Sequence, residues 1–146
     1  MKLRPVYETK DDLKNEKDIA KLVSDELDCT LVKLPRKYQL DYGIVTIGEG
    51  GKKFITGMVE IKCRSILKDK YDTYMISADK FMVGLQYMQQ FNLTIKLVVS
   101  WVDCVGVYDF KEDTSYHIGF NGRYDRGDSE DVEPVVYIPI KAFKTL

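Results

Sequence analysis

Asp41, Glu60 and Lys62 are charged residues set in segments otherwise apolar enough to be buried. Leu40 to Ile47 and Phe54 to Arg64 are rich in β-branched and aromatic residues, and Gly48-Glu49-Gly50-Gly51-Lys52-Lys53 separates them with glycine and charge. That pattern predicts a hairpin with Asp41 on one strand and Glu60 and Lys62 on its partner. Side chains alternate along a strand, so Glu60 and Lys62 share a face and Ile61 takes the other. Lysine and glutamate are seldom buried unless paired or functional. Two carboxylates from adjacent strands suit magnesium, which takes one or two carboxylates together with waters and phosphate oxygens. Asp41 and Glu60 are the expected ligands, and the Ile61 carbonyl can add a backbone oxygen. Lys62 is then placed to orient or help deprotonate an attacking water while the cation neutralises charge on a phosphate. The competing reading is structural, with Glu60 and Lys62 an ion pair at a strand end and Asp41 a turn residue before Gly43.

The elements that must hold these residues are visible in the rest of the pattern. Leu13, Ala20, Val23 and Leu27 recur at helical spacing and predict a helix over 9–27, capped by Thr9 or Asp11. Glu16 occupies the one place in the series 13, 16, 20, 23, 27 where an apolar residue is expected. Its carboxylate either points toward the core or an adjoining cleft, or lies at the stripe's edge and pairs with Lys14 or Lys17. Cys29 to Leu34 reads as a short strand ended by Pro35, and residues 65–74 as a loop. Ser77 is the expected N-cap of a second helix reaching Asn92, with Phe81, Leu85 and Met88 inward. Ile95 to Val102 is a near-continuous apolar run, as expected of a central strand covered on both faces. Val105 to Phe110 and Val135 to Lys141 are further strands, the last placed at a sheet edge by Pro139. Asn121 to Glu133 is dense in turn formers and acids and reads as a loop.

With 146 residues, 45% of them hydrophobic, the chain is expected to form one domain over 1–146, with a core over about 9–103 and a C-terminal extension over 104–146. A net charge of -1 excludes a polycation that coats nucleic acid, so any nucleic-acid surface is a local patch. Cys29, Cys63 and Cys104 are odd in number and widely spaced, which fits reduced thiols and gives neither a disulfide framework nor zinc spacing. The single histidine, His117, argues against histidine-rich metal sites and a histidine-based nuclease motif. No apolar run approaches a membrane span and the N-terminal residues lack a signal-peptide core. A soluble protein of the cytoplasm, without membrane partners, is expected.

The arrangement resembles the PD-(D/E)XK nuclease superfamily over roughly Glu16 to Val102. Leu40-Asp41 matches the first half of the motif and Glu60-Ile61-Lys62 the second, while Glu16 matches the acidic residue many members carry on the first helix. Leu40 replaces the name-giving proline. Val59 to Arg64, with Tyr74 to Lys80 after it, is similar to small phage-encoded members. The resemblance implies an α/β fold with a restriction-endonuclease-like αβββαβ core, a mixed central sheet flanked by helices, and extra C-terminal strands. It further implies a magnesium-dependent endonuclease, with manganese as a substitute, hydrolysing DNA phosphodiesters in phage DNA recombination, repair or degradation. Its site is Glu16, Asp41, Glu60 and Lys62. Small members often act as homodimers, so a second copy is an expected partner, and a phage-encoded protein works in the host cytoplasm.

Among the basic residues, Arg64 and Lys80 are the expected DNA contacts, Lys80 lying one turn into its helix near this fold's cleft. Lys52, Lys53, Lys68 and Lys70 read as solvated. Arg123 and Arg126 either contact DNA or a second copy, or pair with the acids around them. Tyr71, Tyr74 and Tyr87 can stack on bases, with packing as the alternative. The alternative function is a non-catalytic nucleic-acid-binding or assembly protein retaining the nuclease fold. Divalent-metal uptake discriminates the two.

Overall fold

The structure, a computed structural model, describes residues 10–112, 114–122 and 132–146. Its first helix, α1 (Lys10–Glu26), buries Ala20 and Val23 along one stripe, as their spacing requires. The strands β1 (Thr30–Lys33), β2 (Tyr42–Ile47) and β3 (Lys53–Cys63) follow, then β4 (Thr73–Ser77), helix α2 (Ala78–Phe91) and β5 (Thr94–Ser100). Four more strands complete the described chain, β6 (Val105–Asp109), β7 (His117–Gly122), β8 (Val132–Pro139) and β9 (Lys144–Thr145).

Six strands form a mixed sheet in the order β1-β2-β3-β5-β6-β9, in which β3 and β5 are parallel and the other neighbours antiparallel. The β2–β3 hairpin turns through Gly50 and Gly51, whose positive φ of 69° and 76° suits glycine. A Cβ at Gly57 would stand 2.7 Å from the Thr94 carbonyl oxygen, so glycine is what lets β5 begin against β3. Alternation along β3 then sorts the core. Val59 and Ile61 pack with Val98 of β5 and with Ala20 and Val23 of α1 on one face. Met58 joins Leu97, Val99, Phe81 of α2, and Val136 and Ile138 of β8 on the other.

Three expectations are corrected. Residues 65–74 are not loop throughout, because Thr73 and Tyr74 open β4, in which buried Tyr74 and Ile76 alternate with exposed Thr73 and Met75. β8 is not an edge strand but the middle one of a second, three-stranded sheet ordered β4-β8-β7. Pro139 is its last residue, opposite Thr73, where a missing N–H interrupts no interior ladder bond. Asn121 and Gly122 end β7, and Val132 and Glu133 begin β8, so both ends of the expected 121–133 loop are strand. Arg123 and Arg126 lie outside the described residues, as does Thr9. Ser77 does precede α2, but its side chain makes no capping hydrogen bond.

Candidate active site

β3 runs past the start of β2, and the site is built on that mismatch. Tyr42 pairs with Val59 as the first residue of β2, and the Asp41 N–H still reaches the Val59 carbonyl at 3.1 Å. One pleat further on there is no strand to receive the Ile61 N–H. The Asp41 side chain takes its place, accepting at Oδ2 from Ile61 N at 2.7 Å. Asp41 therefore sits one residue ahead of β2 rather than in it, and its carboxylate substitutes for a ladder bond. The N–H and carbonyl of one residue leave an extended strand on the same side, so the Ile61 carbonyl is directed toward Asp41 as well.

Glu60 projects from the opposite face to Ile61, and its side chain is 1% exposed. The Lys80 ammonium, delivered by the first turn of α2, lies against Glu60 Oε2. Lys62, one pleat along β3, places Nζ 3.7 Å from the same oxygen. Neither Glu60 oxygen makes a hydrogen bond of regular geometry, although both are shut off from solvent. Burial is the main influence on this carboxyl and pushes it up to about 8, with Lys62 and Lys80 opposing and the adjoining Asp41 adding to the rise. Burial also works against an ionised Asp41. There, however, hydrogen bonds from Glu60 and the Ile61 N–H, helped by Lys80 and Lys33, outweigh it and hold Asp41 below the usual aspartate range. The two carboxyls act on each other, and their surroundings push them apart, Glu60 upward and Asp41 downward.

Glu16 is buried, which favours the inward one of the two readings of its place on the α1 stripe, and the Lys14 side chain lies outside the described residues. Its partner is Lys33 at the end of β1, whose ammonium also stands 3.6 Å from Asp41 Oδ1. Burial alone would lower the Lys33 pKa, yet the Glu16 hydrogen bond and the charges of Asp41 and Glu16 raise it. Glu16 thus joins the site through Lys33. Sequence reasoning missed Lys33. The signal available was register: Lys33 pairs with Tyr42, which puts it beside Asp41.

The structure therefore brings Asp41, Glu60, Ile61, Lys62 and Lys80 together and links Glu16 to them through Lys33. Arg64 makes no contact with either carboxylate among the hydrogen bonds and ion pairs of the described residues, and its Nη2 donates to the Tyr74 hydroxyl at 2.9 Å. Among the described residues no three of His, Cys, Asp and Glu gather as a metal-holding group. The donor set is two carboxylates and a backbone carbonyl.

A family model described as "Phage putative PDDEXK endonuclease" matches residues 2–146, nearly the whole chain. The chain belongs to this family. No curated protein matches it. Among solved structures, this PDDEXK chain is similar to Hjc of Archaeoglobus fulgidus, a Holliday junction resolvase from an archaeal hyperthermophile, at 13% identity. The match covers 91% of this chain and 90% of that one with a TM-score of 0.52. It shows the fold, which is restriction-endonuclease-like. The αβββαβ order of the PDDEXK core is present as α1, β1, β2, β3, α2, β5, with β4 interposed before α2. No helix among the described residues is long and apolar enough to cross a membrane.

Proposed function

We propose that this chain is a metal-dependent endonuclease that hydrolyses DNA phosphodiesters, with Asp41, Glu60, Lys62 and Glu16 as its working residues. The observation that carries the reading is Glu60, a buried carboxyl with no regular hydrogen bond, facing an ionised Asp41. Lys80 and Lys62 oppose but do not overcome the effect of burial on that carboxyl, so a divalent cation would supply the further positive charge that its ionised form needs. The residues fit such an ion: Asp41 and Glu60 would hold it, with the Ile61 carbonyl as a further oxygen. When bound, the ion supplies Lewis-acid stabilisation of charge on the phosphate.

The chain's own residues do the remainder. Lys62 is 38% exposed at its side chain, so its ammonium can reach both solvent and Glu60, and it orients the attacking water. Lys80 and Lys62 lend positive charge where a phosphate arrives. Lys33, held by Glu16, keeps Asp41 ionised. Recombination, repair or degradation of phage DNA is the setting we infer, and the family and the resolvase fold support it. Arg64 and Lys80 serve as phosphate contacts, and a homodimer is the assembly we infer.

The test is digestion of single-stranded, duplex, flap and four-way DNA with Mg²⁺, Mn²⁺ or EDTA. Cleavage that needs a divalent ion and disappears in Asp41→Asn and Glu60→Gln is the expected result. Metal-independent cleavage, or none by the wild-type protein, would overturn the assignment.

A further inference from the structure

Just beyond β3, two residues past Lys62, the chain lines a cavity. Its volume is about 460 Å³, and Arg64, Lys68, Tyr71, Tyr74, Met75 and Trp101 are among the residues that line it. That is within the ~300–1,000 Å³ range of small-ligand sites. None of its described lining residues is acidic, although the chain as a whole carries a net charge of -1. The walls are aromatic. Tyr74 and Trp101 are buried edge to face at 6.4 Å, while Tyr71 stands 59% exposed.

We propose that this cavity binds an unpaired nucleotide of the DNA substrate beside the scissile phosphate, with the base stacked on Tyr71 and the phosphate on the Arg64 guanidinium. The proposal rests on the nuclease reading above for its substrate. Arg64 has five N–H donors in a fixed fork. It spends Nη1 on the Cys63 carbonyl at 3.1 Å and Nη2 on the Tyr74 hydroxyl at 2.9 Å, both neutral acceptors. Among the described residues no carboxylate forms an ion pair with it. Its charge is therefore left for an anion, and its planar fork suits phosphate. Lys68 is less available, since its Nζ donates to the Phe143 carbonyl and Thr145 Oγ1, each at 3.2 Å.

Position ties the cavity to the carboxylates. Arg64 is the first residue after β3 and, at ~3.3 Å per extended residue, lies about 6.6 Å along the chain from Lys62. Tyr74 lines the cavity and its buried hydroxyl accepts from Arg64 Nη2 at 2.9 Å, while the charges of Glu60 and Lys80 act on the same hydroxyl. A strand whose phosphate reaches Lys62 can present its neighbouring nucleotide to this cavity. A paired base cannot enter, since its face is stacked and its edge engaged. An unpaired base offers a π face that any aromatic platform accepts without regard to sequence. Lys70, with Nζ 5.5 Å from the Tyr71 ring, adds charge at that platform for the backbone on either side.

Binding without cleavage tests this. In EDTA, the protein is titrated with a duplex bearing a short single-stranded flap that carries 2-aminopurine next to the junction, and with a fully paired duplex of the same length. The flap should bind about tenfold more tightly, ~1.4 kcal/mol, and its fluorescence should be quenched. Tyr71→Phe should keep both effects, and Tyr71→Ala should bring the affinity ratio to about one and remove the quench. The exposed position of Tyr71 leaves the core intact in both variants, which thermal unfolding verifies. Equal wild-type affinity for flap and duplex, or an undiminished preference in Tyr71→Ala, overturns the proposal. If the preference and quench appear but Mg²⁺ never elicits cleavage, the nuclease reading falls and the cavity assignment stands. Cleavage without any preference sinks the cavity assignment alone.

Discussion

The Lys80 ammonium rests against Oε2 of Glu60, a contact between the first turn of α2 and the middle of β3. It sits where a divalent ion on that carboxylate would be felt most. Ion uptake by a protonated Glu60 exchanges one proton for a divalent cation, a net gain of one positive charge beside Lys80. Lys80 would therefore weaken metal binding there even though it helps Glu60 ionise. Lys80→Met should bind Mn²⁺ roughly fivefold more tightly, the ~1 kcal/mol of one unit charge at 4 Å in water-like surroundings. It should also cleave more slowly, having lost a phosphate contact. Calorimetric titration beside a cleavage assay checks both. Weaker Mn²⁺ binding would show that Lys80 organises the site rather than competing for it.

The raised pKa of Glu60 has a sign that can be read in two ways. Its carboxyl moves from 4.5 to about 8 through burial, so between those values the folded metal-free protein holds a proton that the unfolded chain has lost. Stability then falls as pH rises through that window and is level above it. Metal binding runs oppositely, tightening with pH toward about 8 and releasing a proton on uptake. Glu60→Gln should flatten the first dependence. It should also stabilise the metal-free protein at pH 8 by up to about 4 kcal/mol, the scale of a shift from 4.5 to about 8. Thermal melts at pH 5 to 8.5 with EDTA would show it. A wild-type midpoint that rises across that range contradicts the buried-acid account.

How much of this was legible in the sequence depended on whether the signal was local. The alternation of Val59, Glu60, Ile61 and Lys62 stated which face each would take, because strand geometry is set by neighbours in the chain. The period of α1 left Glu16 either inward or at the stripe's edge. Its partner was not legible, since Lys33 lies 17 residues away and is brought near by β1–β2 register. β4 was missed because only two of its side chains, Tyr74 and Ile76, are buried, and its pairing partner β8 lies about sixty residues further on. Pro139 misled for a related reason. A proline's lost donor matters only inside a ladder, and nothing local says where the ladder ends.

Lys33 stands between Glu16 and Asp41, so substitution of Glu16 should have a distinctive signature if Glu16 acts through it. Glu16→Gln frees the Lys33 ammonium, which is 45% exposed and can swing into solvent. Stability should change by about 1 kcal/mol or less, as for other half-exposed ion pairs. Cleavage should drop, and Lys33→Met should drop it by a similar factor. The double variant should be no worse than either single one, because both break the same link. Additive losses would give Glu16 a role of its own, as a direct ligand or through water.

Lys62 and the two carboxylates should separate cleanly by experiment. A cation held by Asp41 and Glu60 loses much of its binding when either is neutralised, so Asp41→Asn and Glu60→Gln should cut Mn²⁺ uptake and cleavage together. Asp41→Asn has a second effect. Its amide can still accept from the Ile61 N–H through oxygen, so the end of β2 should stay in place and the fold should survive. Lys62 carries positive charge 3.7 Å from Glu60 Oε2 and cannot be a ligand. Lys62→Met keeps the aliphatic stem and removes the ammonium. Divalent binding should then be unchanged or slightly tighter, since a neighbouring cation has gone, while cleavage falls by about 10²–10⁴, the usual range for a group that handles the proton of an attacking water. DNA binding should persist in part through Arg64 and Lys80. Calorimetry with Mn²⁺, a gel-shift in EDTA and a cleavage time course on the same variant distinguish the roles: wild-type cleavage by Lys62→Met would show that water activation belongs elsewhere, with Lys80 the next ammonium to test.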